Sequence, residues 1–308
     1  MKGSTDLPER GLSMEGFVIT IALRARNQSL TNSRLWPPAV SQASSSAVHD
    51  AVAARRGILP PMKAIRRARS KHASTGGENA LPAAALHVDE ARYEAVLRYL
   101  FDRSVPDVQH QEWYWHGDLE PFEATPLEWT RFQTLIFANA AVDLRRFSND
   151  QVGMGLTYLM NNGMSDVPYA AIGESVPLGE AMLMMRAMPV LWRDCIGPRL
   201  SSIHAAIGSG AGGQLGYACY MWFDVWPTFY MVRDQQPWQD ALWHVFDEML
   251  KVPCREVQVA ALHGIGHRGR DLSRDSTIDC AVDAFLASLG NDEELRNYAE
   301  AARKGMVQ

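Results

Sequence analysis

Apolar residues recur at helical spacing through the last quarter of the chain. Four segments of helical length, each with start and stop signals, follow one another there: 237–250, 254–267, 275–289 and 291–304. The first and the third begin 38 residues apart, which is the spacing of consecutive helical hairpins. Because a hairpin that cannot bury its apolar face alone must stack on its neighbours, the pattern predicts an array of hairpins.

Helix start signals also precede this region. Asp89 is placed to cap a helix, and Thr125 and Ser148 each stand three residues before a glutamate or glutamine, which is the capping-box pattern. Apolar residues then follow at helical intervals: Trp129, Phe132, Ile136, Ala140 and Leu144. We therefore predict an all-α fold of stacked antiparallel helical hairpins over residues 81–308.

The segment 253–267 reads PCREVQVAALHGIGH. It resembles the second helix of a HEAT-type repeat, in which small alanines admit close contact with the flanking hairpins. The resemblance covers the hairpins at 237–308. It implies a HEAT-like α-solenoid or helical array, whose open surface would bind another protein.

A polar strip runs along this otherwise apolar helix. At 100° per residue, Glu256, His263 and His267 fall within about 40° of one another. Two imidazoles four residues apart can reach one metal ion, with Asp271 or Asp275 from the following loop as a further ligand, whereas Glu256 lies about 16 Å from His267, too far for the same ion. We favour a strip that is exposed, caps helix carbonyls or binds a partner, and we expect no metal.

Two further candidate binding regions lie earlier in the chain. Trp113, Trp115, His116 and Asp118 fall in one aromatic and polar segment, and surface aromatics are typical anchors of protein-binding sites. Asp224 shares a helical face with tyrosines, where an apolar setting would raise the pKa of a catalytic carboxylate. The simpler interpretation, which we favour, is that Asp224 caps or hydrogen-bonds a neighbouring helix end.

Residues 208–213, GSGAGG, match the G-x-G-x-x-G pattern of dinucleotide-binding loops. That loop needs a strand before it and a closely packed helix after it. Residues 199–207 are not a β-branched run, and bulky aromatics such as Trp222 follow the glycines. We therefore predict a linker between helices, and we expect no cofactor.

Composition narrows the class of protein. With 47% hydrophobic residues the chain can bury a large core, and the early apolar run at 17–23 is far shorter than the roughly 18 residues that span a bilayer, so we expect no membrane association. Four widely spaced cysteines lack a C-x-x-C pair. They indicate reduced, buried thiols in a cytoplasmic protein rather than a disulfide framework or a zinc site.

The charge is distributed unevenly. Residues 1–72 hold 12 Lys and Arg against 4 Asp and Glu, whereas the remainder holds 18 against 31. The first part is also rich in serine and alanine, which predicts a disordered basic leader over 1–80, although a transit peptide or a true start at Met62 would explain it as well. Cations at 55–71 could contact nucleic acid, with an affinity that falls steeply with salt and disappears when the leader is deleted.

These features favour a non-catalytic protein-interaction or scaffold protein of helical-repeat type, whose partner is another protein. A metal-dependent enzyme that uses His263 and His267 with a nearby acid is the alternative, and nucleic-acid binding through the leader is a further one. Catalysis requires acids and histidines to converge in one pocket, whereas a scaffold can leave them scattered along a ridge.

Overall fold

The computed structural model describes residues 80–108, 110–272 and 275–307. Every regular element in these ranges is helical, so the predicted all-α class is confirmed for this part of the chain. None of the described helices is both long and apolar enough to cross a membrane. The predicted leader, apart from its last residue, lies outside the described residues, as do Met62 and the cations at 55–71.

The long helices are α1 (Glu90–Phe101), α2 (Pro126–Ala138), α3 (Asn149–Met160), α4 (Leu178–Leu191), α5 (Gly213–Val225), α6 (Gln236–Leu250), α7 (Arg255–Arg268), α8 (Asp275–Ser288) and α9 (Glu293–Arg303). A π-helical turn, Trp192–Ile196, extends α4. Short α-helical or 3₁₀ turns fill the connections: Ala83–Leu86, Trp113–Trp115, Ala140–Asp143, Val167–Ile172, Gly197–Leu200, Thr228–Val232 and Gly269–Leu272.

Local signals in the sequence place these helices well. The Thr125 hydroxyl accepts from the Glu128 amide at 3.2 Å, and the Glu128 carboxylate accepts from the Thr125 amide at 2.9 Å. Ser148 starts α3 with the same reciprocal pair. The four C-terminal helices begin and end within two residues of their predicted bounds. Capping and periodicity thus fixed where helices form.

Several helices that pack against each other are not neighbours in the sequence. α5 lies between α3 and α7, and α4 contacts both α2 and α6. The consecutive helices α2 and α3 therefore make their main contacts with other helices, not with each other. α6 packs on α7 and α8 on α9, but stacking of these hairpins into a solenoid is not confirmed.

The core is built on aromatic side chains. Trp222 and Phe223 of α5 pack against Trp192, and Phe223 also meets Phe246 of α6 at a ring-centre distance of 4.7 Å. Three of the four cysteines, Cys195, Cys219 and Cys254, are buried free thiols as predicted, whereas Cys280 is exposed. α5 is consequently the central helix of the described fold.

A glycine permits the contact between α3 and α5. A Cβ atom at Gly153 would overlap the backbone of Gln214 and Leu215, so no larger residue fits between the two helices as they stand. Gly155, two residues on, leaves similar room for the Phe101 ring of α1. Backbone contact at Gly153 therefore sets the position of α5.

Gly153→Ala is expected to lower the free energy of unfolding by roughly 1–3 kcal/mol, because the added methyl forces α3 away from α5. Gly179 provides a matched control, since it is exposed in the first turn of α4 and a Cβ there meets nothing within 4 Å. Gly179→Ala is expected to raise the same free energy by roughly 0.4–1 kcal/mol, because alanine lowers the conformational entropy of the unfolded chain. Urea denaturation of both variants measures the difference, and equal effects would contradict the assigned contact.

Candidate metal centre

Three ionisable side chains converge where α5 lies beside α7. Asp224, near the end of α5, faces His263 and His267 of α7. An Asp224 carboxylate oxygen lies 3.9 Å from Nε2 of His263, and the other lies 3.7 Å from Nδ1 of His267. One ligand atom from each residue lies within 4.8 Å of the others, which is the spacing of a potential metal site.

The geometry of both helices brings these groups together. Contacts between the two helices advance together along the chain, from Cys219 with Glu256 to Phe223 with Arg268. Residues four apart on α7 share a face, so both imidazoles lie beside Asp224. Arg268, which is buried, donates from Nε and Nη2 to the carbonyl oxygen of Phe223 at 3.1 and 3.0 Å. This contact fixes the end of α5 that carries Asp224 to the end of α7 that carries His267.

His263 is the most enclosed member of the centre, with only 2% of its surface exposed. Its Nδ1 atom lies 2.7 Å from the hydroxyl of Tyr298 on α9, and its ring lies against the Tyr220 ring at a centre distance of 4.2 Å. Its Nε2 atom has no hydrogen-bond partner among the described residues. This buried nitrogen faces the Asp224 carboxylate at 3.9 Å, which is beyond hydrogen-bond distance.

Electrostatics keep the acid charged. Burial alone would raise the pKa of Asp224, but the imidazoles of His263 and His267 and the Arg268 guanidinium outweigh it, so the pKa lies below its usual range. This direction is opposite to the raised pKa that the catalytic interpretation of Asp224, which we did not favour, requires. The sequence pattern showed the tyrosines beside Asp224 but not the histidines opposite.

The same neighbourhood keeps His267 neutral. Burial lowers the pKa of His267, and the nearby Asp224 offsets only part of this effect. The Arg268 guanidinium, and His263 when it is protonated, lower the pKa further. An ionised carboxylate and a neutral imidazole are the forms that bind metal ions. The pKa shifts of Asp224 and His267 both favour these forms.

The donor set is of a kind that suits particular metal ions. Two imidazole nitrogens and one carboxylate oxygen suit zinc and non-haem iron, which take such ligands at about 2.0–2.2 Å. Ligand atoms around a tetrahedral ion lie roughly 3.3 Å apart, so small side-chain rotations would close the observed spacing. The metal alternative supposed Asp271 or Asp275 from the loop after α7 as the acid, whereas among the described residues Asp224 of α5 is the acid that groups with the two histidines.

Glu256 lies apart from this centre, as its distance along the helix predicted. It is half-buried at the start of α7 and lines a pocket of about 50 Å³ with Tyr217, Tyr220 and the glycine loop. The Cys254 thiol lies 3.7 Å from its carboxylate. Tyr220 borders both this pocket and His263.

The aromatic segment is only partly at the surface. Trp113 is buried against Tyr99 and Tyr158, so it is not the exposed anchor that we expected. Trp115 is half-buried, and His116 and Asp118 are exposed. The segment does not contribute to the centre formed by Asp224 and the two histidines.

The glycine loop ends in a capped helix rather than a strand-to-helix turn. Asp150 of α3 accepts from the Gln214 amide at 2.9 Å, which places a carboxylate at the start of α5. An anion-binding loop leaves this position to a phosphate. No strand precedes the loop in the described chain. Both observations agree with the predicted linker and oppose a dinucleotide site.

Comparisons with known protein families, curated protein sequences and solved structures found no match to this chain. The site must therefore be interpreted from its own geometry.

Sequence reasoning missed Tyr298, Arg268 and Glu112. Tyr298 meets His263 only because α9 packs against α7. Glu112 is buried next to the aromatic segment and accepts from the Gln214 side chain at 2.8 Å. None of these contacts leaves a local pattern, because the partners lie 35, 45 and 102 residues away.

Arg268→Met is expected to lower the free energy of unfolding by roughly 1–3 kcal/mol, because the buried Phe223 carbonyl loses its donors while the apolar part of the side chain is kept. Arg186→Met, at an exposed position of α4, is the control and should change stability by less than about 0.5 kcal/mol. Chemical denaturation compares the two. Similar small effects in both variants would refute a fixing role for Arg268.

Proposed function

We propose that this protein is a metal-dependent enzyme whose mononuclear centre is formed by Asp224, His263 and His267. The observation that carries the proposal is the unpartnered Nε2 of buried His263, aimed at a carboxylate and a second imidazole. A buried polar atom without a partner costs roughly 1–3 kcal/mol. A bound cation would satisfy it and would compensate the charge of Asp224.

Three protein ligands favour catalysis over a purely structural role. Structural zinc sites are closed by four ligands, whereas catalytic sites leave a position for water or substrate. The side chains of His267 and Asp224 keep 34% and 24% of their surface exposed, so solvent reaches the centre from one side. His263 anchors the opposite, buried side.

The proposed chemistry follows from the donor set. Zinc held in this way lowers the pKa of a bound water and supports hydrolysis, and iron held by two histidines and a carboxylate supports reactions with oxygen. The pocket lined by Tyr217, Tyr220 and Glu256 begins about one helical turn from Asp224 and offers a place for part of a small substrate.

Protein interaction on HEAT-like hairpins is the second proposal. Successive packing of α6 on α7 and of α8 on α9 is consistent with it, and His267, His116 and Asp118 are accessible to a partner. Burial of Trp113 and His263 removes two of its expected contacts. A stoichiometric partner pulled down by the parent chain but not by a His267→Ala variant would favour this function over catalysis.

Metal titration tests the first proposal. After removal of metals with a chelator, the full chain is titrated with Zn²⁺ by calorimetry and with Co²⁺ by visible absorbance, and we expect one equivalent to bind. Asp224→Ala and His267→Ala should each weaken binding by at least about 100-fold, since loss of an outer-shell group alone costs roughly 10- to 100-fold.

His244→Ala controls for non-specific binding, because His244 is an exposed histidine on α6. It should bind Zn²⁺ and Co²⁺ like the parent. Absence of a one-equivalent site in the parent, or equal losses in the control and in the Asp224 variant, would overturn the proposal.

A further inference from the structure

The centre involves a third helix. Tyr298 of α9 places its hydroxyl 2.7 Å from Nδ1 of His263 and 3.2 Å from the hydroxyl of Tyr220. These three groups form a hydrogen-bonded chain on the side of His263 that faces away from Asp224. We propose that Tyr298 is a positioning residue of the metal centre, which accepts the Nδ1 proton of His263 while Nε2 binds the ion; this inference rests on the proposed function.

A neutral imidazole carries one proton, so one ring nitrogen donates a hydrogen bond and the other has a free lone pair. Binding an ion through Nε2 requires a lone pair there, so the proton must reside on Nδ1. His263 is 2% exposed, and a donor on Nδ1 therefore needs an acceptor within the protein. The Tyr298 oxygen is the partner at hydrogen-bond distance.

The Tyr298 hydroxyl can fill this role because a phenol both accepts and donates. It can accept from Nδ1 of His263 at 2.7 Å and donate its own proton to the Tyr220 oxygen at 3.2 Å. The Nδ1 proton of His263 and the hydroxyl proton of Tyr298 then each have an acceptor.

Outer hydrogen bonds of this kind orient a ligating histidine and increase its basicity. Here the orienting group, Tyr298, lies on α9, whereas the proposed ligands lie on α5 and α7. Leu295, Ala299 and Ala302 hold α9 against the fold through buried contacts, and Arg255 of α7 pairs with Asp292 just before α9 at 2.7 Å. Metal binding and docking of α9 are consequently linked, and each should strengthen the other.

Tyr298→Phe tests the proposal, since it removes only the hydroxyl and keeps the ring. We expect it to weaken Zn²⁺ and Co²⁺ binding by roughly 10- to 100-fold. Tyr169→Phe is the matched control, because the Tyr169 hydroxyl contacts Asn162 and no residue of the centre. It should leave metal affinity unchanged.

Two readouts distinguish positioning from general structural support. Proton NMR of the zinc-loaded parent should show the Nδ1 proton of His263 as a hydrogen-bonded, slowly exchanging signal, which Tyr298→Phe shifts or loses. Zn²⁺ should also slow amide exchange across 293–303 in the parent and in Tyr169→Phe, but much less in Tyr298→Phe.

The outcomes separate the two proposals. A parent chain that binds no metal refutes the proposed function and this inference with it. A parent that binds one equivalent, with Tyr298→Phe of equal affinity and an unchanged Nδ1 signal, refutes the positioning role alone. Weakened binding together with loss of the Nδ1 signal supports both.

Discussion

Close backbone approach of the central helix α5 to its two neighbours is the constraint on which the candidate centre depends. Gly153 admits α5 against α3, and Gly264 leaves room on α7 for the rings of Phe246 and Phe223. If the axes of α5 and α7 lay farther apart by the width of one methyl group, Asp224 would be separated from both imidazoles. Packing at glycines thus controls a polar site that contains no glycine.

Burying the imidazole of His263 costs free energy unless its nitrogens find partners. Polar atoms in a packed interior need partners, and the protein supplies one for Nδ1 through Tyr298 but none for Nε2 among the described residues. An apolar residue would fill this position without such a cost. Retaining an imidazole there is understandable when the free nitrogen has a ligand to bind.

The charge of Asp224 depends on its neighbours across the helix interface. Arg268 holds the end of α5 through the Phe223 carbonyl and, with the histidines, keeps the pKa of Asp224 low despite burial. Its guanidinium also lies over the Tyr230 ring, 3.4 Å from the ring centre, which keeps it in place beside the site. One buried arginine therefore acts on both the position and the charge of the carboxylate.

Local rules predicted much of this fold. The capping boxes at Thr125 and Ser148 located the starts of α2 and α3, and the apolar periodicity of the last four helices located their ends within two residues, because these features depend on neighbours in the chain. The common face of His263 and His267 followed from helical geometry alone. The separation of Glu256 from His267 did so too.

The sequence by itself thus determined which segments are helical and which side chains share a face of α7. Only the tertiary structure decided that Asp224 opposes the histidines, that Tyr298 reaches Nδ1, and that Trp113 is buried. The physical reason is that periodicity describes one helix at a time. Meetings between side chains 35 or more residues apart depend on how closely the helices pack, and that depends on the shapes of all their contacting residues.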